Sequence, residues 1–247
     1  MTANRPPQVP KVIGHRGAAG HAPENTVAAI EKAAALGARW VEFDVKLTHD
    51  GELILFHDDT LERTTDGKGK VDETTLADIR RLDAGKWYQA RFAGARVPTL
   101  DEAMEALARL GLGANVEIKP CPGRERETGE ATARALKAHW PGRLPAPVLS
   151  SFRAEALAAA QSAAPEFPRA LLVREVSDEW RSQAEALGAT AIHCNHQFID
   201  RHRILALKGA GYAVRCYTVN DVRTATQLFA WGVESVFTDY PDRILGV

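Results

Sequence analysis

The sequence predicts an α/β fold, a closed (β/α)8 barrel with a small insertion after the hairpin of its second strand. Three observations carry this. Short apolar runs rich in Val, Ile, Leu and Phe alternate eight times with stretches whose apolar residues recur at three- and four-residue spacing, the pattern of a parallel sheet with helices packed outside it. The eight units fill about 235 residues, the size of one such barrel. The runner-up, an open doubly wound sheet, loses ground because the loop HRGAAGHAPENT after the first run lacks the GxGxxG spacing of a dinucleotide site.

In order, strands are expected at 12–15, 40–47, 114–119, 147–152, 169–173, 191–196, 213–219 and 235–239. Helices are expected at 25–36, 100–110, 127–139, 153–163, 177–187, 199–210 and 222–231. One run, 52–58 (ELILFHD), breaks the alternation. It follows the strand 40–47 too closely for a parallel crossover, so the two must pair antiparallel. Asp50-Gly51 between them is a favoured two-residue turn. With that turn 49 faces 52, His57 lies opposite Asp44, and Glu42 shares the face; a slip of one residue would turn His57 to the other side. Residues 59–98 are rich in Gly, Asp and Thr and too long for an ordinary loop, so they form an excursion with a helix of their own near 76–82. The chain thus reads as one domain over 1–247 with an insertion at about 59–98, on the functional face of the barrel.

A net charge of −1 argues against a nucleic-acid binder that works by bulk positive charge. Cys121, Cys194 and Cys216 are odd in number and lack CxxC spacing, which predicts free thiols. No apolar run suits a signal peptide or a membrane span, so a cytoplasmic location without stable membrane insertion is expected. Residues 1–10 are expected to form a mobile tail.

The chemistry concentrates at strand ends. Glu42 and Asp44, at i and i+2 of one strand, point to the same face. In a barrel interior two carboxylates repel and lose solvation, and a hard cation would relieve both penalties. Glu117 and Lys119 repeat the spacing on the next barrel strand; Glu117 would complete a metal site and Lys119 would balance phosphate charge, unless the two form a plain ion pair. His15-Arg16-Gly17 ends the first strand: an acid or base, a planar fork suited to phosphate, and a residue that lets the backbone turn. His57 is the second candidate acid or base. His193 and His196, at a late strand end, read as structural, with a supporting role in the site as the alternative, and His49 reads as exposed beside the turn. Glu24 or Asn25 would cap the first helix or brace the site. Phe152 and Tyr217 would wall a substrate pocket or pack the barrel rim.

In this order, GHRGAAGHAPENT (14–26), VEFDVKLTHDGELILFHD (41–58), LDAGKW…VPTLDE (82–102), NVEIKP (115–120), SSF (150–152), YTVN (217–220) and FTDYP (237–241), the chain resembles the glycerophosphodiester phosphodiesterase family over nearly its whole length. The resemblance implies a TIM barrel and one divalent metal ion on Glu42, Asp44 and Glu117. It also implies His15 and His57 as the acid/base pair, and Arg16 and Lys119 on the phosphate. Its substrates would be small glycerophosphodiesters such as glycerophosphocholine or glycerophosphoethanolamine, cleaved to sn-glycerol 3-phosphate and an alcohol. Tyr217 stands where the family often has Trp, which bears on headgroup preference. An all-oxygen ligand set accepts Mg²⁺ or Ca²⁺, and Mn²⁺ as well. The chain is expected to be a monomer or small homo-oligomer without nucleic-acid partners. The alternatives are a phospholipase-like phosphodiesterase acting on intact lipid and a non-catalytic phosphate-binding barrel.

Overall fold

A computed structural model describes residues 8–247; of the tail expected over 1–10, residues 1–7 lie outside the described residues. The strands are β1 (Val12–Gly14), β2 (Trp40–Leu47), β3 (Leu53–Leu55), β4 (Gly113–Ile118), β5 (Val148–Ser151), β6 (Arg169–Val173), β7 (Ala189–Asn195), β8 (Ala213–Tyr217) and β9 (Ser235–Thr238). The helices are α1 (Val27–Ala35), α2 (Leu76–Ile79), α3 (Leu100–Leu110), α4 (Glu125–His139), α5 (Ala154–Ala163), α6 (Trp180–Ala186), α7 (Arg201–Gly209), α8 (Val222–Trp231) and α9 (Pro241–Ile244). Eight strands run parallel in the order β1-β9-β8-β7-β6-β5-β4-β2, and the pairing Gly14↔Val41 joins β2 back to β1. The barrel is therefore closed, as the alternation predicts, and β3 hangs antiparallel on β2. The short α9 has no counterpart in the sequence reading.

All eight residues of β2 are buried, which fits a strand covered on both faces. Alternation sends Val41, Phe43 and Val45 into the core under the helices, and Trp40, Glu42, Asp44 and Lys46 to the other side. Trp40 joins Ile13, Val148, Ala170, Ala191, Ala213 and Phe237 in an apolar layer, most of them near the starts of their strands. That layer fills the barrel's lower end. The polar residues of β2 and β4 then stand above it, toward the strand ends. The outer helices are positioned by local signals; α3 opens on a capping box, Thr99 with Glu102, worth about 1 kcal/mol.

The hairpin differs from expectation. Its pairs are Val45↔Leu55, Lys46↔Ile54 and Leu47↔Leu53, one residue out of the predicted register. The Thr48 N–H donates to the Glu52 carbonyl, so the loop holds three residues, His49, Asp50 and Gly51, with Gly51 left-handed at φ 84°. His57 is therefore not paired opposite Asp44. That place belongs to Phe56, whose N–H donates to the Asp44 carbonyl, and β3 itself ends at Leu55. Beyond the ladder side chains no longer alternate, which is why His57 still turns toward the site.

The insertion packs on the outside of β3 through a small core of its own, Ile54, Phe56, Leu61, Val71, Ile79, Ala84, Val97 and Cys121. It also gathers Trp87, Tyr88 and Phe92 edge to face, an aromatic cluster that the sequence pattern does not indicate. All three cysteines are free and buried, as expected; Cys194 and Cys216 lie side by side on β7 and β8. Among the described residues no helix is long and apolar enough to cross a membrane.

Candidate active site

The first turn after β1 sets the site's geometry. Among the described residues, Arg16 and Asn25 are the non-glycine residues with positive φ, at 49° and 55°. Such backbone persists where its surroundings over-determine it. Here the Arg16 N–H donates to Glu42 Oε2 at 2.8 Å, and the Asn25 N–H donates to the Arg16 carbonyl at 3.2 Å. Gly17, at φ 87°, has no room for a side chain: a Cβ there would meet the Ala29 backbone at 2.5 Å. The HRG turn is thus pressed against α1, and its direction is fixed.

Within this frame Glu42, Asp44 and Glu117 converge, each with a carboxylate oxygen within 4.8 Å of the others. The register explains it, because Asp44 pairs with Glu117 across β2 and β4. Asn25 brackets Asp44: its Nδ2 donates to Oδ2 at 2.8 Å and its Oδ1 accepts the Asp44 N–H at 3.1 Å. Arg16 Nε lies 3.3 Å from Asp44, and Lys119 Nζ lies 2.8 Å from Glu117 and 3.5 Å from Asp44. Burial works against charge on all three carboxylates, with different outcomes. For Asp44 the nearby Arg16 and Lys119 outweigh it and hold the carboxyl below its ordinary range. Glu42 is pushed well above its ordinary value by burial and by the charges of Asp44 and Glu117. Glu117 is pushed up to about 7 by burial and by Asp44. Glu42 Oε1 is buried without a hydrogen-bond partner in the protein. A buried orphan oxygen beside two more carboxylates is a donor set that fits a hard divalent cation.

Two histidines flank the carboxylates, and each has its Nδ1 on a carboxylate of its own. His15 Nδ1 is 2.7 Å from Asp239 Oδ1, with its Nε2 3.9 Å from Glu42. Asp239 is held in turn: Asn220 Nδ2 donates to Oδ2 at 2.7 Å, and Asn220 Oδ1 accepts the Asp239 N–H. His57 Nδ1 is 2.5 Å from Asp58 Oδ1. In both rings this leaves Nε2 as the nitrogen available for proton transfer. Burial lowers the His57 pKa, with Asp44 pulling the other way.

The two histidines line different spaces. His15, Glu42, Glu117, His193 and Tyr217 surround a narrow inner recess of about 30 Å³. His57, Asp58, Lys119, Phe152 and Arg153 line an open cavity of about 400 Å³. Glu117 and Phe152 border both. Phe152 is 46% exposed and stands edge-on to Tyr217 at 5.9 Å; the Tyr217 hydroxyl donates to the Val173 carbonyl. The ring of Tyr217 is thereby pinned in the wall of the inner recess.

All nine candidate residues come to one end of the barrel. The sequence reading assigned no role to Asp58, Asp239 or Arg63, and none to Asn220. Asp58 had a signal, its place beside His57. Asp239 follows the last strand, and only closure of β9 onto β1 brings it to His15. His193 is buried in the barrel, where it accepts a hydrogen bond from Arg215 at 3.0 Å and borders the inner recess. His49 is exposed.

The chain resembles known proteins in sequence and in fold. The model of the Glycerophosphoryl diester phosphodiesterase family matches residues 15–243. A phosphodiesterase from Oleispira antarctica, solved in complex with the product sn-glycerol-3-phosphate, superposes with a TM-score of 0.94 at 42% identity, over 96% of each chain. The glycerophosphodiester phosphodiesterase of Agrobacterium tumefaciens superposes with a TM-score of 0.80 at 31% identity, over 97% of this chain and 100% of that one. A glycerophosphodiester phosphodiesterase from Caldanaerobacter subterraneus is 34% identical over 96% of both chains.

Proposed function

This chain belongs to the glycerophosphoryl diester phosphodiesterase family and is a phosphoric diester hydrolase, and on that premise we propose how its site performs the cleavage and on what. The substrates are small glycerophosphodiesters such as glycerophosphocholine or glycerophosphoethanolamine, and the products are sn-glycerol 3-phosphate and the free alcohol. The relative from Oleispira antarctica, bound to that product, supports this reading. The observation that carries the mechanism is the convergence of Glu42, Asp44 and Glu117 between two histidines whose Nδ1 atoms are each committed to a carboxylate.

Glu42, Asp44 and Glu117 would hold one divalent cation, Mg²⁺ or Ca²⁺ (Mn²⁺ also suits the set), which would supply positive charge at the phosphate and make the attacking hydroxyl more acidic. Arg16 and Lys119, both beside Asp44, bind the remaining phosphate oxygens. The glycerol moiety, common to all substrates, lies on the His15 side of the carboxylates, at the mouth of the inner recess. The variable alcohol occupies the open cavity beside His57, against Phe152. His15 Nε2 then takes the proton of the glycerol 2-hydroxyl, while Asp239 stabilises the imidazolium that forms. The 2-oxygen attacks phosphorus, and as the P–O bond to the alcohol breaks His57 Nε2 protonates the departing oxygen, leaving a five-membered cyclic phosphate of glycerol. The cyclic phosphate is opened by water with the two roles reversed.

The test is turnover of glycerophosphocholine, abolished by EDTA. His57→Ala should lower kcat about 10²- to 10⁴-fold, the range of a lost acid or base. On a glycerophospho-p-nitrophenyl ester, whose leaving group needs no proton, His57→Ala should recover most of the loss and His15→Ala should not. Equal losses for both variants on both substrates would overturn the assignment of roles.

A further inference from the structure

Arg63 belongs to the insertion and to no element of the barrel. Its guanidinium is nevertheless bonded along two edges. Nε and Nη2 donate to the two oxygens of Asp58, at 2.5 and 2.8 Å. Nη1 and Nη2 donate to the two oxygens of Glu24, both at 2.8 Å. Each carboxylate has a second partner at the site. Asp58 holds His57 Nδ1, and Glu24 Oε1 accepts from Arg16 Nη1 at 2.5 Å. An unbroken chain of charged hydrogen bonds thus runs from His57 through Asp58, Arg63 and Glu24 to Arg16, whose Nε forms an ion pair with Asp44 at 3.3 Å.

Two physical points favour a functional reading of this clasp over an ordinary surface ion pair. Exposed pairs contribute little because two long side chains must be held in one geometry against solvent. Here the receiving carboxylates are short-tethered, only 26% and 12% exposed, and already fixed by site residues. The bonding is also bidentate on both sides, which a planar fork can provide and a point charge cannot. We propose that Arg63 is a positioning residue for phosphodiester cleavage: from the insertion it fixes the imidazole of His57 and the guanidinium of Arg16 relative to one another. The inference rests on the roles given above to His57 and Arg16.

The two arms should separate in kinetics on glycerophosphocholine. Asp58→Asn disturbs the His57 arm and should lower kcat with little change in KM. Glu24→Gln disturbs the Arg16 arm and should raise KM. Arg63→Ala should do both, with kcat down about 10- to 100-fold, the usual cost of a lost outer partner. Arg63→Lys should stay close to Arg63→Ala, because an ammonium cannot grip both carboxylates along their edges. Arg63 is 44% exposed, so added methylguanidinium can reach the gap; it should restore activity to Arg63→Ala and leave His57→Ala unchanged. A folded Arg63→Ala with kcat and KM within twofold of the parent overturns the proposal. So does a loss that Arg63→Lys fully recovers, or one that methylguanidinium does not relieve. If Arg63→Ala fails to fold, Arg63→Lys decides: parental kinetics there overturn the proposal. If instead His57→Ala and EDTA leave turnover intact, the underlying reading of the site has failed, and the Arg63 variants are not what refuted it.

Discussion

Asp239 and Asp58 do the same geometric job for His15 and His57, but they are supported differently. Asp58 shares its charge with Arg63, whose hydrogen bonds hold it below its ordinary carboxyl range. Asp239 is held by the neutral amide of Asn220, and although burial opposes its charge, the bond from His15 keeps it ionised. The full charge of Asp239 is therefore directed at the His15 imidazole. An amide in its place can still accept the Nδ1–H bond, but it offers no charge to favour the imidazolium formed when His15 takes a proton. Asp239→Asn should lower kcat about 10- to 100-fold with KM little changed. Steady-state kinetics on glycerophosphocholine, with circular dichroism as the control for folding, measures this; an unchanged kcat would remove Asp239 from the mechanism.

The hairpin β2–β3 carries the clearest element-scale lesson. Its loop places Gly51 at φ 84° with nothing within 4 Å of where a Cβ would sit, so a substitution there meets backbone strain alone. Gly51→Ala should cost about 1–2 kcal/mol, read as a lowered urea midpoint. It should leave kcat unchanged, because the register is held by the burial of Val45, Leu47, Ile54 and Leu55. The existence of this hairpin, the eight barrel strands and most helix spans were legible because each is written in local periodicity. The register was not. Asp50-Gly51 looks like a two-residue turn, but Asp50 Oδ1 accepts from the Thr48 hydroxyl and from the Leu76 N–H of the insertion, which draws Asp50 into a longer loop. A contact 26 residues away leaves no trace in a turn motif. The same holds for the site: Glu42, Asp44 and Glu117 stand out as charges inside apolar runs. Asp239, whose partner His15 is 224 positions away, and Arg63, 39 positions from Glu24, become visible only once the chain has folded.

At the scale of the whole barrel, three buried carboxylates on β2 and β4 make the metal-free protein's stability depend on pH in an uncommon direction. Glu42 lies well above its ordinary value and Glu117 at about 7, while unfolded glutamates titrate near 4.5. Below pH 4.5 both states carry these protons. As pH rises past that point the unfolded chain releases them while the folded chain retains them, so the folded state loses ground; the share from Glu117 is complete once it has titrated near 7, and the share from Glu42 continues until it too has titrated. Asp44, lowered, acts in the opposite sense: its contribution is present above its ordinary value of 3.8 and disappears only on further acidification, so it is constant through this window. A divalent cation replaces the protons and removes the penalty. Two results should follow. The thermal midpoint of EDTA-treated protein should fall between about pH 5 and pH 7, and the increment from added Mg²⁺ or Ca²⁺ should grow over the same interval. Metal affinity should rise by about tenfold per pH unit for each proton displaced, and binding in weakly buffered solution should acidify the medium. Differential scanning calorimetry with and without metal, and calorimetric titration in two buffers of different ionisation enthalpy, measure both. Proton release that is absent at pH 6, or a metal-induced increment independent of pH, would show that the carboxylates of β2 and β4 do not exchange protons for a cation.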